Sequence, residues 1–188
     1  PDTTLWFDSI YIEGNSQDHF YIATLPIELP EKKYVRAMEF LPGKNNLVHH
    51  MNGRLLNYEN DQKVSVSEGE RLLDLEINEQ EYINQFNQLK LANDDGSRPQ
   101  QINSAVNYLP GSTGQIYPEG IGGFTINSKS ILLADDIHFG PIPKGKWSHN
   151  KVHVFFSDFA PKRPINEVMM GTNRVSNILA PLVLVPHQ

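Results

Sequence analysis

The chain contains no cysteine. That absence removes thiolate nucleophiles, thiolate zinc sites, iron–sulfur clusters and disulfides at one stroke. It does not set the compartment, because exported proteins also lack cysteine. Long apolar runs are missing too. The longest, such as residues 178–186, are far too short to span a bilayer, so no membrane span is expected. A basic stretch followed by an apolar one does not open the chain, so any export signal is expected to have been removed or never present. Clusters of Lys and Arg are likewise absent. With 16 Lys+Arg against 22 Asp+Glu the formal charge is −6, which argues against a binder of nucleic-acid phosphates.

What is present points to strands. The 188 residues suit one domain, taken as residues 1–188, and the 13 glycines and 13 prolines punctuate it at short intervals. Apolar, β-branched and aromatic residues mark strands over residues 6–12, 20–25, 34–40, 47–56, 130–137 and 152–156. The signal weakens over residues 165–168, and residues 178–185 are a candidate last strand. The middle differs. Over residues 79–91 a helical period puts Tyr82, Ile83, Phe86, Leu89 and Lys90 on one face, and Asn93, Asp94, Asp95 and Gly96 follow as a stop. This predicts a short helix inside a long excursion, residues 59–106, read as a surface insertion in preference to a lid. The economical architecture is an all-β, antiparallel β-sandwich of jelly-roll or Greek-key type.

Seven histidines remain for metal chemistry. Adjacent strand residues point to opposite faces, so His49 and His50 reach one ion only if a bulge or twist turns one ring round. The pair gains weight from His138, which ends the apolar run of residues 131–137 just before Gly140 and Pro141. Three neutral imidazoles without a thiolate suit copper or zinc and leave a fourth position open. Met51, placed by alternation on the face of His49, is either a thioether ligand for Cu(I) or core packing. His19, His149, His153 and His187 sit in turns, tails or alternating positions that read as structural. Asp135, Asp136, Asn52 and Tyr108 are candidates to orient the rings. Of these, Asp136 shares the face of His138 in a regular strand and Asp135 does not.

These residues carry a resemblance. Val48, His49, His50 and Met51, then Leu109, Pro110 and Gly111, then the stretch from Tyr117 through Phe124, then Ile137, His138, Phe139 and Gly140, succeed one another in a familiar order. In that order they resemble the N-terminal domain of copper type II, ascorbate-dependent monooxygenases. That group includes peptidylglycine hydroxylating monooxygenase, dopamine β-monooxygenase and bacterial relatives. Val154 through Ser157 and Pro161 through Arg163 are similar to the stretch beyond the corresponding histidine in those enzymes. The patches span residues 34–185. Each is short, so order and spacing carry the likeness.

The resemblance implies an eight-stranded jelly roll shared with peptide-N-glycosidases. It also implies one copper per chain, held by His49, His50 and His138 and serving electron transfer. In the family a second copper, bound by a His-x-His pair and a Met in the next domain, activates oxygen. No His-x-His occurs in this sequence, and the animal enzymes' disulfides are absent. Hydroxylation by this chain alone is therefore not expected. A second copper-binding domain or an electron-transfer partner is implied, as is a periplasmic or secreted location.

Two other classes stay open. A non-catalytic β-sandwich binding module would keep the fold without the metal. A carbohydrate-active jelly roll would need two carboxylates at working separation, drawn from Glu39, Glu119, Asp135 and Asp136. A nucleophile elbow and a phosphate-binding loop are both absent from the sequence.

Overall fold

Apolar, β-branched and aromatic residues form strands where a pleated face can be buried, and this chain has such faces along most of its length. In the computed structural model, which describes residues 1–43, 47–59, 61–112 and 114–167, the strands are β1 (Thr3–Trp6), β2 (Ile10–Ile12), β3 (His19–Glu28), β4 (Lys33–Leu41), β5 (Val48–Tyr58) and β6 (Leu72–Asp74). One helix, α1 (Glu79–Gln88), comes next. Then come β7 (Gln100–Tyr108), β8 (Gln115–Ile116), β9 (Phe124–Ile126), β10 (Lys129–Phe139), β11 (Lys146–Ser148) and β12 (Lys151–Ser157).

Five strands form one sheet in the order β1-β12-β4-β8, with β9 also paired to β4. Five form the other, β6-β3-β10-β5-β7, and β11 and β2 make a small ribbon. Every pairing is antiparallel.

The strand order is that of a jelly roll. Taking β1, β3, β4, β5, β7, β9, β10 and β12 as the principal strands, one sheet holds the first, eighth, third and sixth. The other holds the second, seventh, fourth and fifth. This interleaving of two sheets is the double Greek key. Between the sheets Leu25, Met51, Leu55, Leu132 and Phe139 meet Val35, Phe40, Val152 and Val154, all buried.

The outer face of the β3-β10-β5 sheet is buried as well over half its length. Ile22, Leu56, Ile131 and Leu133, with Leu73 of β6 beside Ile22, lie there under Val66, Leu89 and, from α1, Tyr82 and Phe86. Burial on both faces explains why β10 runs Ile131, Leu132, Leu133, Ala134 without alternation. The excursion is thus more than a surface insertion: it roofs a second core. It is tied down by Tyr58, whose hydroxyl donates to the Leu91 carbonyl at 2.8 Å, and by Lys63, which donates to the carbonyls of Lys90 and Ala92 at 2.8 and 2.7 Å.

Several expectations shift at their edges. The strand expected over residues 6–12 divides into β1 and β2, which join different sheets. The excursion ends before β7, whose mostly exposed residues hid it as an edge strand. The helix starts after Asn78, whose side chain caps it by accepting from the Glu81 amide, and stops before Leu89. Ile83 is exposed, not part of the buried face, and Lys90 lies outside the helix at a φ of 53°. Residues 165–167 form no strand; instead the Glu167 carboxylate accepts from the Asn103 and Ser104 amides on the edge of β7. The candidate strand over residues 178–185 lies outside the described residues.

The glycine-rich turn before β9 is structural. Gly123 has a φ of 129°, and a Cβ there would stand 2.4 Å from the Val35 carbonyl oxygen. Gly123→Ala is therefore expected to destabilise the fold by about 2–4 kcal/mol, read as a lower urea midpoint at unchanged slope. Tyr21 offers a second test. Burial, reinforced by the charges of Asp74, Glu76 and Glu13, pushes its hydroxyl up to about 12. An unfolded tyrosine ionises near 10, so Tyr21 favours the fold below that pH and loses this contribution as pH rises towards 12. Tyr21→Phe should flatten the loss of stability over that interval in pH-dependent denaturation.

Candidate metal centre

Two irregularities of register build the site. Across the β5–β10 ladder His138 pairs with His50 while Phe139 pairs with Val48, so His49 is an extra residue in β5. In a regular strand Val48 and Met51, three apart, would face opposite ways; here both are buried in the inter-sheet core. The bulge takes up the difference and leaves both histidines out of that core, His49 exposed and His50 half-buried. On β10 the register also shifts between Ala134 and Ile137 against β3, and between Ala134 and Asp136 against β5. That second bulge holds Asp135 and Asp136.

The three imidazoles converge. One nitrogen from each of His49, His50 and His138 lies within 4.8 Å of the others. Ring centroids are 4.8 Å apart for His50 and His138, 4.9 Å for His49 and His138, and 5.8 Å for His49 and His50. His138 and His50 bring their Nδ1 atoms to 3.2 Å. Their Nε2 atoms are both engaged by carboxylates: His50 with Asp136 and His138 with Asp18, each at 2.9 Å. A carboxylate only accepts, so Nε2–H donates in both rings. Two Nδ1 lone pairs are then left pointing into one small space, an arrangement that calls for a proton or a cation between them. Two ligand nitrogens about 2.0–2.1 Å from one tetrahedral ion stand about 3.3 Å apart, close to the separation found. The donor set therefore fits a metal, with Nδ1 as the ligand atom of His50 and His138 and the carboxylates holding each ring in its tautomer.

Comparison with known protein families, with curated proteins and with solved structures finds no match for this chain. The site is thus read from its own geometry.

The surroundings sort the other sequence candidates. Asp136 bonds His50, not His138, and also accepts from Asn52 at 3.3 Å. Asp135 pairs with Arg54 instead. Tyr108 does not reach the rings: it packs against Phe40, centroids 5.1 Å apart, at the inter-sheet core. Met51 is fully buried in that core, so the bulge removes it from the face of His49. His19 contacts Asn15 and Glu76, His149 contacts Ser9, and His153 lies 3.9 Å from Glu39. None of these three joins the cluster. His187 lies outside the described residues. Glu39 belongs to β4, in the sheet opposite Asp135 and Asp136.

Sequence reasoning missed Asp18 and Phe20. Phe20 is the register partner of His138 and stacks on its ring at 4.4 Å with an 8° tilt. Only the β3–β10 register brings them there, and that register has no local sequence signal. The division of labour between the neighbouring aspartates gives a test. Asp136→Asn should lower metal affinity about 10–100-fold in a competitive chelator titration, whereas Asp135→Asn should leave it unchanged.

Proposed function

We propose that this chain is a copper-binding domain of electron-transfer type, akin to the N-terminal domain of copper type II, ascorbate-dependent monooxygenases. His49, His50 and His138 would hold one copper. The observation that carries the reading is the pair of facing Nδ1 atoms, 3.2 Å apart, on rings whose Nε2–H groups are already committed to Asp136 and Asp18. The order of motifs in the sequence and the jelly-roll strand order support the same reading.

An all-imidazole set tolerates both Cu(I) and Cu(II), so a copper bound there would supply one-electron redox chemistry. The chain's own residues do the rest. Asp18 and Asp136 fix two tautomers and place negative charge beside the cation. Phe20 covers one face of His138. His138 is 13 % exposed at its side chain and His50 26 %, so the site stays within reach of a small reductant or a partner surface. Hydroxylation would require an oxygen-activating copper on a second domain or partner, and a periplasmic or secreted setting accords with that chemistry.

One observation favours a second reading, a non-catalytic sandwich without metal: the Nδ1 atoms of His50 and His138, 3.2 Å apart, are also at hydrogen-bond distance, so a proton in place of a metal would satisfy the pair. Reconstitution separates the two. The copper reading expects about one copper per chain by elemental analysis, with a Cu(II) EPR signal that ascorbate abolishes and that His138→Ala lacks. Undiminished stoichiometric copper in His138→Ala, or none in the parent protein, overturns it.

A further inference from the structure

Away from the three clustered histidines, an open groove of about 860 Å³ lies where the ends of β1, β4 and β12 meet β11, with His149 in its lining. That volume lies within the roughly 300–1,000 Å³ of small-ligand sites. Both tryptophans of the chain line it, and both are exposed: Trp6 at 61 % and Trp147 at 53 %. Indoles are usually covered, because exposing them forgoes more apolar burial than exposing any other side chain.

Each indole is braced by a neighbour. Lys151, the register partner of Trp6, sets its ammonium 5.1 Å from that ring's centroid. Tyr11, the register partner of Trp147, packs on it at 5.2 Å. The walls are fastened together as well. Buried Asn150 accepts from the Gly43 amide and from the Ser148 hydroxyl, both at 3.1 Å, and its own carbonyl accepts from the Phe7 amide at 3.1 Å. A Cβ on Gly43 would stand 2.8 Å from the His149 carbonyl oxygen, so the two walls touch through backbone. The groove carries two aromatic platforms on walls that are hydrogen-bonded to each other.

Its charge runs against that of the protein. Lys146 and Lys151 line it and no carboxylate does among the described residues, in a chain of net charge −6. Lys151 lies over Trp6, and Lys146, one residue before Trp147 in β11, supplies the second cation of the lining. We propose that this groove binds an acidic oligosaccharide with one carboxylate per ring, a uronate chain. The C–H face of a pyranose packs on an indole, while the two ammonium groups of the lining meet the carboxylates. A strand of nucleic acid would also stack, but two lysines neutralise few phosphates. Densely sulfated glycans carry more charge per ring than one lysine balances. The proposal is independent of the copper reading.

Because both tryptophans lie in the groove, indole emission reports on it directly. Titration with tetragalacturonate should give a saturable change, weakened by added salt. By calorimetry, Trp147→Ala and Lys146→Met should each weaken binding about tenfold or more. Lys146→Met leaves the aromatic frame intact and serves if Trp147→Ala fails to fold. No response, an equal response to neutral cellotetraose, or tighter binding of a heparin tetrasaccharide or a thymidine tetranucleotide would overturn the proposal. So would an emission change that tracks self-association in sedimentation.

Discussion

Pairing between β5 and β10 is the constraint on which the rest of the molecule depends. Both strands are eleven residues long, and they lie within the interior of the sheet. At one end of the ladder, strict register puts Leu56 and Ile131 outward under the α1 excursion and Leu55 and Leu132 inward. At the other end the register slips at each strand in turn. A side-chain period of two allows no partial error, so an uncompensated slip would send Phe139 and Ile137 into solvent. The bulges keep the core in phase and leave one extra residue each, His49 and Asp135, on the outer face with His50 and Asp136.

That face is consequently divided. Where the excursion covers it, the sheet is apolar and closed. Where the cover ends, it carries imidazole and carboxylate. The helix and its flanking loops thus serve the site at a distance: they take up the apolar half of the sheet and leave only the polar half to solvent.

Much of this architecture was legible in the residues. Alternation located the cores of β3, β4, β5, β10 and β12, and the punctuation by Gly and Pro pointed to a sandwich. The three histidines stood out because one closes an apolar run and two are adjacent. What lay beyond reach was pairing. The split of residues 6–12 between sheets, the identity of β7 as an edge strand and the bulge at His49 all depend on which strand lies alongside. So do the contacts of Asp18 and Phe20, both far from His138 along the chain. Strand alternation also misplaced Met51, because it assumes no extra residue between Val48 and Met51.

His50 and His138 are 88 residues apart, and Asp18 extends the constellation to the start of a third strand. A cation held there would close a long loop across the centre of the sheet. Because the three rings converge only in the folded chain, an ion bound there raises stability with the logarithm of free-ion concentration. In a chain without a single thiol, this site would serve as a reversible staple, one whose strength is set by how much metal its surroundings supply.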